Sequence, residues 1–143
     1  MGRVPRMEID LELATAMLAA ALATATELGI VVSTAVVDAG GNLVAFQRMD
    51  GAEIAGPTLA VDKAYTSVAH RIETGQLAAL TAPGAELAGM SSNGGGRYIA
   101  FAGGIPCWDG DRVVGGIGVS GGSAAQDQQC AAAGHAIYLA AAR

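Results

Sequence analysis

Two segments of this sequence carry the signature of a β-hairpin. Ala35–Gly51 and Gly103–Gly122 each set an apolar, β-branched run against a second run across a short turn rich in Asp, Gly and Asn. Turns of this kind join neighbouring antiparallel strands, whereas parallel strands need a long crossover connection. The two segments therefore predict an antiparallel sheet, and they weaken any inference that a Gly-rich stretch here binds a nucleotide.

The rest of the chain alternates between helical and strand patterns, which predicts an α+β fold. The first helix is apolar on two opposite faces, so we expect it to be covered on one side by the sheet and on the other by a helix or a second subunit. The expected helices are Leu11–Leu28, Pro57–His70, a short one near Leu77–Leu80, and Ser123–Ala141; the expected strands are Ile30–Asp38, Leu43–Met49, Arg97–Ala102, Ile105–Trp108 and Arg112–Ser120.

Length and charge limit the class of protein. The 143 residues, of which 52% are hydrophobic, suit a single domain spanning residues 1–143. A formal net charge of −5 with only eight Lys and Arg residues argues against a nucleic-acid partner. Cys107 and Cys130 have no ligand-like spacing, so we predict no metal site. The apolar run Leu13–Thr26 is too short to span a membrane, and we expect a cytoplasmic location with no membrane partner.

A literal G-x-G-x-x-G lies at Gly116–Gly121, between a predicted strand and a predicted helix. The strand before it is expected to pair antiparallel, which a dinucleotide-binding unit would not do. We therefore interpret these glycines as close packing of a strand against a helix, followed by a turn. The turn at Gly121 and Gly122 would still offer backbone N–H groups at a helix N-terminus for a ligand carboxylate.

Several motifs, in this order, resemble the GlcG/HbpS-like family, often called haem-binding or haem-degrading. They are Ala35–Gly51, Lys63-Ala64, Thr74, Gly103–Pro106, and Val114–Gly122 followed by Gln126-Asp127. The resemblance covers the chain from about Asp10 onward. It implies a profilin-like fold, a five-stranded antiparallel sheet with helices packed on its faces, assembled into a homo-oligomer. Family members include haem binders and a domain appended to corrinoid adenosyltransferases.

The first functional hypothesis is a small-molecule-binding module. The resemblance implies haem, or another planar carboxylate-bearing ligand, held at a subunit interface against apolar walls. Arginine binds carboxylates bidentately, which makes Arg48 and Arg97 candidate ligand-binding residues. Tyr98 is a candidate for the pocket wall. Gly121 and Gly122 complete the predicted set, with Lys63 as another cation for the ligand carboxylates.

The second hypothesis is a cofactor-independent enzyme acting on a small organic acid, enol or ketone. Here His70 would be the general acid/base, and Lys63 or an arginine would stabilise an oxyanion. Other interpretations stay open: His70 can interact with the helix dipole or bind haem iron, Lys63 can neutralise Asp62 or another acid, and Asp127 can compensate a helix dipole. His135 is interpreted as a surface or subunit-contact residue.

Overall fold

Helices and antiparallel strands alternate along the chain much as the pattern predicts. The computed structural model describes residues 2–5 and 7–141. Within those residues the strands form one antiparallel sheet of four, in the order β2-β1-β4-β3. The helices are α1 Leu11–Glu27, α2 Ala55–His70, α3 Thr74–Leu80 and α4 Ala124–Ala141; the strands are β1 Ser33–Asp38, β2 Leu43–Arg48, β3 Gly104–Asp109 and β4 Arg112–Ser120.

Both predicted hairpins are confirmed. In the β1–β2 turn, the Asp38 carboxylate accepts hydrogen bonds from the backbone N–H groups of Gly40 and Asn42, both at 2.9 Å. Aspartate is common in turns because its side chain can bond to the backbone of its own turn in this way. In the β3–β4 hairpin Asp109 pairs with Arg112, and Gly110 between them has φ 62°. Local side-chain chemistry therefore sets the register of both hairpins.

The first helix is covered on two sides, as its apolar faces predict. Its N-terminus is capped by Asp10, whose side chain accepts a hydrogen bond from the N–H of Leu13 at 2.8 Å. Met17 and Leu18 are fully buried in a core shared with the sheet and α4. Leu11, at the N-terminal end, remains 62% exposed. Of the helices in the described part of the chain, none combines the length and apolarity needed to cross a membrane.

The glycines of β4 explain how close α2 lies to the sheet. A Cβ atom on Gly118 would collide with the carbonyl oxygen of Ala60 and lie 2.6 Å from the N of Ala64, both on α2. A Cβ on Gly116 would collide with the Ser67 hydroxyl on the same helix. The close-packing interpretation of the G-x-G-x-x-G is thus confirmed. The helix α2 occupies one face of the sheet, while α1 and α4 pack on the other.

The prediction of a fifth strand at Arg97–Ala102 is wrong. In the structure this segment is irregular, and α2 satisfies part of its backbone: the Thr66 hydroxyl donates to the Arg97 carbonyl at 3.1 Å and accepts from the Ile99 N–H at 3.0 Å. The outer edge of β3, where another strand would pair, carries Pro106, which has no N–H to donate. On either side of Pro106, side chains bond to the backbone groups of β3 that a further strand would otherwise pair with.

On that outer edge, Thr74 accepts a hydrogen bond from the Gly104 N–H at 2.9 Å. The Tyr138 hydroxyl donates to the Trp108 carbonyl at 2.6 Å. An edge whose backbone groups are already bonded to side chains does not recruit a further strand. The segment Arg97–Ala102, which leads into β3, therefore does not join the sheet and packs against α2.

Candidate ligand-binding site

Four side chains near the C-terminal end of α2 form what we call the aromatic cluster: Tyr65, His70, Arg97 and Tyr98. Tyr65 and Tyr98 have parallel rings with centroids 6.3 Å apart. The His70 ring meets the Tyr98 ring edge-on, with centroids 4.5 Å apart. The Arg97 guanidinium carbon lies 3.6 Å from the centroid of Tyr65. Three sequence-predicted site residues, His70, Arg97 and Tyr98, are therefore brought together.

Glycines in two loops make room for the tyrosines. A Cβ atom on Gly41, in the β1–β2 turn, would lie 2.8 Å from the Tyr65 ring. A Cβ on Gly94, in the segment before β3, would lie 2.6 Å from the Tyr98 ring. Both glycines have positive φ, 79° and 61° respectively. The first hairpin and the irregular segment therefore both contribute walls to the cluster.

Arg97 is oriented by an acid on α2. Its Nε donates to Asp62 Oδ1 at 3.0 Å, and its side chain is 39% exposed. Stacking on Tyr65 and pairing with Asp62 together fix the plane of the guanidinium. The exposed part of the group stays available to a second carboxylate from solvent.

His70 carries the least satisfied polar atom of the cluster. Its Nε2 is buried and has no hydrogen-bond partner among the described residues. Buried polar atoms in folded proteins are nearly always paired, so an exception calls for a physical explanation. An imidazole nitrogen without a hydrogen-bond partner is suited to binding a metal or exchanging a proton.

Lys63 lies elsewhere, between α2 and the sheet. Its Nζ donates to Asp127 Oδ2 at 3.0 Å and to the Val119 carbonyl at 2.9 Å, and the residue is fully buried. Its Nζ also lies 5.1 Å from the centroid of the Phe101 ring. Burial lowers the pKa of Lys63, although the charge of Asp127 opposes the change. The structure thus places Lys63 in an ion pair with Asp127, while Asp62 pairs with Arg97.

Two of the remaining predicted ligand-binding residues, Gly122 and Arg48, already bind groups of the chain. The N–H of Gly122 donates to Asp127 Oδ1 at 2.8 Å, so that group of the Gly121–Gly122 turn has a protein partner. Ser123 and Gln126 bond each other's backbone N–H groups, which closes the N-terminus of α4. At the end of β2, Arg48 donates from Nη2 and Nε to the Ala52 carbonyl, at 2.5 and 3.2 Å. None of these residues belongs to the aromatic cluster.

Comparison with known proteins places the chain in a family. A family model described as haem-degrading protein HbpS-like matches residues 9–136. The chain belongs to the HbpS-like family. It is 36% identical over 129 residues to the corrinoid adenosyltransferase PduO of Citrobacter freundii. That match covers 90% of this chain and 38% of PduO, so the chain spans well under half of that relative's length.

Two solved structures share the fold of this HbpS-like chain over most of their length. Protein ORFY of Klebsiella pneumoniae superposes with a TM-score of 0.93 at 33% identity, covering 98% of this chain and 97% of that one. A complex of PduOC with heme superposes with a TM-score of 0.88, also at 33% identity, covering 92% of this chain and 95% of that one.

Sequence reasoning missed Asp62 as the residue that orients Arg97. A signal was present, because Asp62, Tyr65 and Thr66 follow the i, i+3, i+4 spacing that places side chains on one face of a helix. That face carries the residues that hold the segment before β3. Treating Arg97–Ala102 as a strand hid this relation, since a strand would have paired with β3 instead.

Proposed function

We propose that this chain binds haem, or another planar carboxylate-bearing molecule, at the aromatic cluster, and that it does so at a subunit interface of a homo-oligomer. The observation that carries the proposal is the buried, unpaired Nε2 of His70 beside an aromatic wall and a partly exposed arginine. The likeness to PduOC, whose structure was solved with heme, supports the same ligand class.

The chemistry of the cluster suits such a ligand. Tyrosine rings stack on planar π-systems, and the Arg97 fork matches a carboxylate. Haem bound here would supply an iron that the His70 imidazole would hold as a ligand. Because His70 Nε2 is buried, a ligand that binds it must displace the side chains that cover this atom.

Exposed apolar side chains next to α2, α3 and β3 in sequence are consistent with the proposed interface. Ile54, just before α2, is 92% exposed, and Phe101, just before β3, is 44% exposed. Leu80 at the end of α3 and Leu87 in the following loop are exposed as well, at 36% and 37%. Contiguous apolar patches on soluble proteins mark interaction surfaces, and we propose that these side chains belong to one. A second copy of the chain is the partner that we propose.

Hemin titration with histidine variants tests the binding site. The sequence has two histidines, so His135→Ala is a matched control for His70→Ala. We expect a saturable Soret band that His70→Ala shifts and weakens, while His135→Ala keeps the wild-type spectrum. Uptake that does not saturate, or that is identical in both variants, would contradict the proposal.

Light scattering tests the assembly separately. The chain has a mass of 14.2 kDa, and we expect a multiple of that mass at micromolar concentration. A value equal to one chain would contradict the proposed interface without bearing on the Soret result. Arg97→Ala, which removes the proposed carboxylate contact, is expected to weaken hemin binding while leaving the oligomer intact.

An acid/base enzyme is the second candidate, because the same unpaired Nε2 can exchange a proton with a substrate. Lys63 is enclosed in its ion pair, so Arg97, which packs in the same cluster as His70, is the cation that we assign to stabilising an oxyanion. Pyruvate in deuterated buffer provides a probe, since enolisation exchanges its methyl protons. Exchange that is accelerated by the wild-type protein and lost in His70→Ala would favour this candidate over ligand binding alone.

A further inference from the structure

A groove of about 290 Å³ runs along the outer edge of β3, separate from the aromatic cluster. Its apolar lining comes from Ile72, Ile105, Pro106 and the half-exposed Trp108. Its polar lining comes from Arg71, Glu73, Gln76 and His135. Small-molecule sites in proteins typically combine an apolar lining with a few placed polar groups. This volume is at the small end of such sites and is too small for a haem.

Arg71 has a backbone conformation that its side chain disfavours. It ends α2 in the left-handed region, with φ 54° and ψ 45°, and it is the only residue other than glycine with positive φ in the described chain. Glycine is the residue that this helix-end position normally carries. Strained conformations of this kind cluster at ligand-binding positions. The Arg71 side chain is exposed and makes no hydrogen bond or ion pair within residues 2–5 and 7–141.

Two other polar groups of the groove, Glu73 and His135, have neighbours that define their state. Glu73 accepts a hydrogen bond from Gln128 at 3.1 Å, which in turn accepts one from the Gly103 N–H at 3.3 Å. Burial lowers the pKa of His135, opposed by the charge of Glu73 and the Pro106 backbone. At neutral pH His135 is therefore an uncharged donor and acceptor. Arg71 is thus the cation of the groove without a protein partner.

These features define the chemistry of a ligand. An unpaired guanidinium favours an anion with the bidentate geometry of a carboxylate. The Trp108 ring and the apolar residues favour a flat hydrocarbon body. We propose that the groove is a second binding site, for small aromatic carboxylates, in which Arg71 binds the carboxylate and Trp108 contacts the ring. The site does not depend on the proposed haem site.

Tryptophan fluorescence provides the assay, because Trp108 is the only tryptophan of the sequence. Haem-free protein would be titrated with benzoate, and with benzamide as an uncharged probe of the same shape. We expect a saturable change in emission with benzoate and binding about tenfold weaker or more with benzamide, as the loss of a charge-assisted hydrogen bond implies.

Arg71→Gly is the informative variant, since glycine adopts the same backbone conformation without strain. We expect it to lose benzoate binding by about tenfold or more while its melting temperature stays equal or rises. Arg71→Lys keeps the charge but not the fork, and should bind with intermediate affinity.

Four results would overturn the proposal. The first is an equal response to benzoate and benzamide, and the second is unchanged benzoate affinity in Arg71→Gly. The third is the lack of any saturable response up to about 10 mM benzoate, which corresponds to negligible affinity. If light scattering shows that the emission changes only when an oligomer dissociates, a second copy of the chain occupies the groove, and the proposal is overturned as well.

Discussion

The ion pair between Lys63 and Asp127 leads to a quantitative prediction about stability. Lys63 is fully buried and the Asp127 side chain is 4% exposed. In Lys63→Met the methionine fills a similar volume, but the Asp127 carboxylate keeps only the Gly122 N–H, at 2.8 Å. Leaving one partner of a buried pair charged and unpaired costs about 3–5 kcal/mol. That is a large share of the roughly 5–15 kcal/mol by which native proteins are stable.

A second substitution isolates the interaction. Asp127→Asn removes the charge but keeps a side-chain oxygen for the Gly122 N–H, so the double variant Lys63→Met/Asp127→Asn buries no charge. We expect the double variant to be more stable than Lys63→Met alone, with a coupling free energy of about 1–3 kcal/mol. Urea unfolding at one fixed protein concentration measures it. With a slope of about 2 kcal/mol per molar, Lys63→Met should lower the midpoint by about 1.5–2.5 M.

Additive effects would refute this reasoning. If the two single substitutions sum to the effect of the double within about 0.5 kcal/mol, the ion pair has no coupling beyond its parts. A loss below about 1 kcal/mol in Lys63→Met would also refute it, because such a value is typical of exposed ion pairs. Hemin affinity of folded Lys63→Met serves as the control, and we expect it to match the wild type.

Two further predictions concern packing and the thiols. Gly118→Ala should destabilise the fold by about 1–3 kcal/mol or more in thermal unfolding, because its Cβ would meet the backbone of α2; Gly2→Ala, with no atom within 4 Å, is the neutral control. Burial raises the pKa of Cys107 to about 12 and of Cys130 to about 11, so neither thiol should react with Ellman's reagent at pH 8 until urea unfolds the protein. Since the unfolded thiols lose protons near their ordinary pKa of 9.0, stability should fall as the pH rises from there towards these values.

Much of the sheet was predictable because its determinants are local. Asp38 bonds to the backbone of its own turn, and Gly110 supplies the positive φ of the second hairpin. The segment Arg97–Ala102 was not predictable in this way. Its conformation depends on Thr66, more than 30 residues earlier in the chain. Its exclusion from the sheet depends on Thr74 and Tyr138, which occupy the edge of β3.

The candidate site was also predictable only where its determinants are local in sequence. His70 lies at the end of α2, which helix periodicity already indicated, and Tyr98 follows Arg97 in sequence. The choice of ion-pair partners was not predictable, since Asp62 and Lys63 are adjacent and point to different sides of α2. Adjacent residues on a helix are separated by about 100°, so one faces the sheet while the other faces the loop. Only the packing of α2 determines that Lys63 faces the sheet and Asp62 faces the loop.

The helix α2 therefore has two functions, one on each of two faces. One face is fixed to the sheet by Lys63 and by the glycines of β4, which allow backbone contact with Ala60. Another face carries Tyr65 and His70 towards the loop before β3. A binding site keeps its geometry when the element that carries it is rigid. The buried ion pair is then expected to stabilise the fold as a whole, whereas the position of Tyr98, outside the helix, depends on the contacts of its segment with α2.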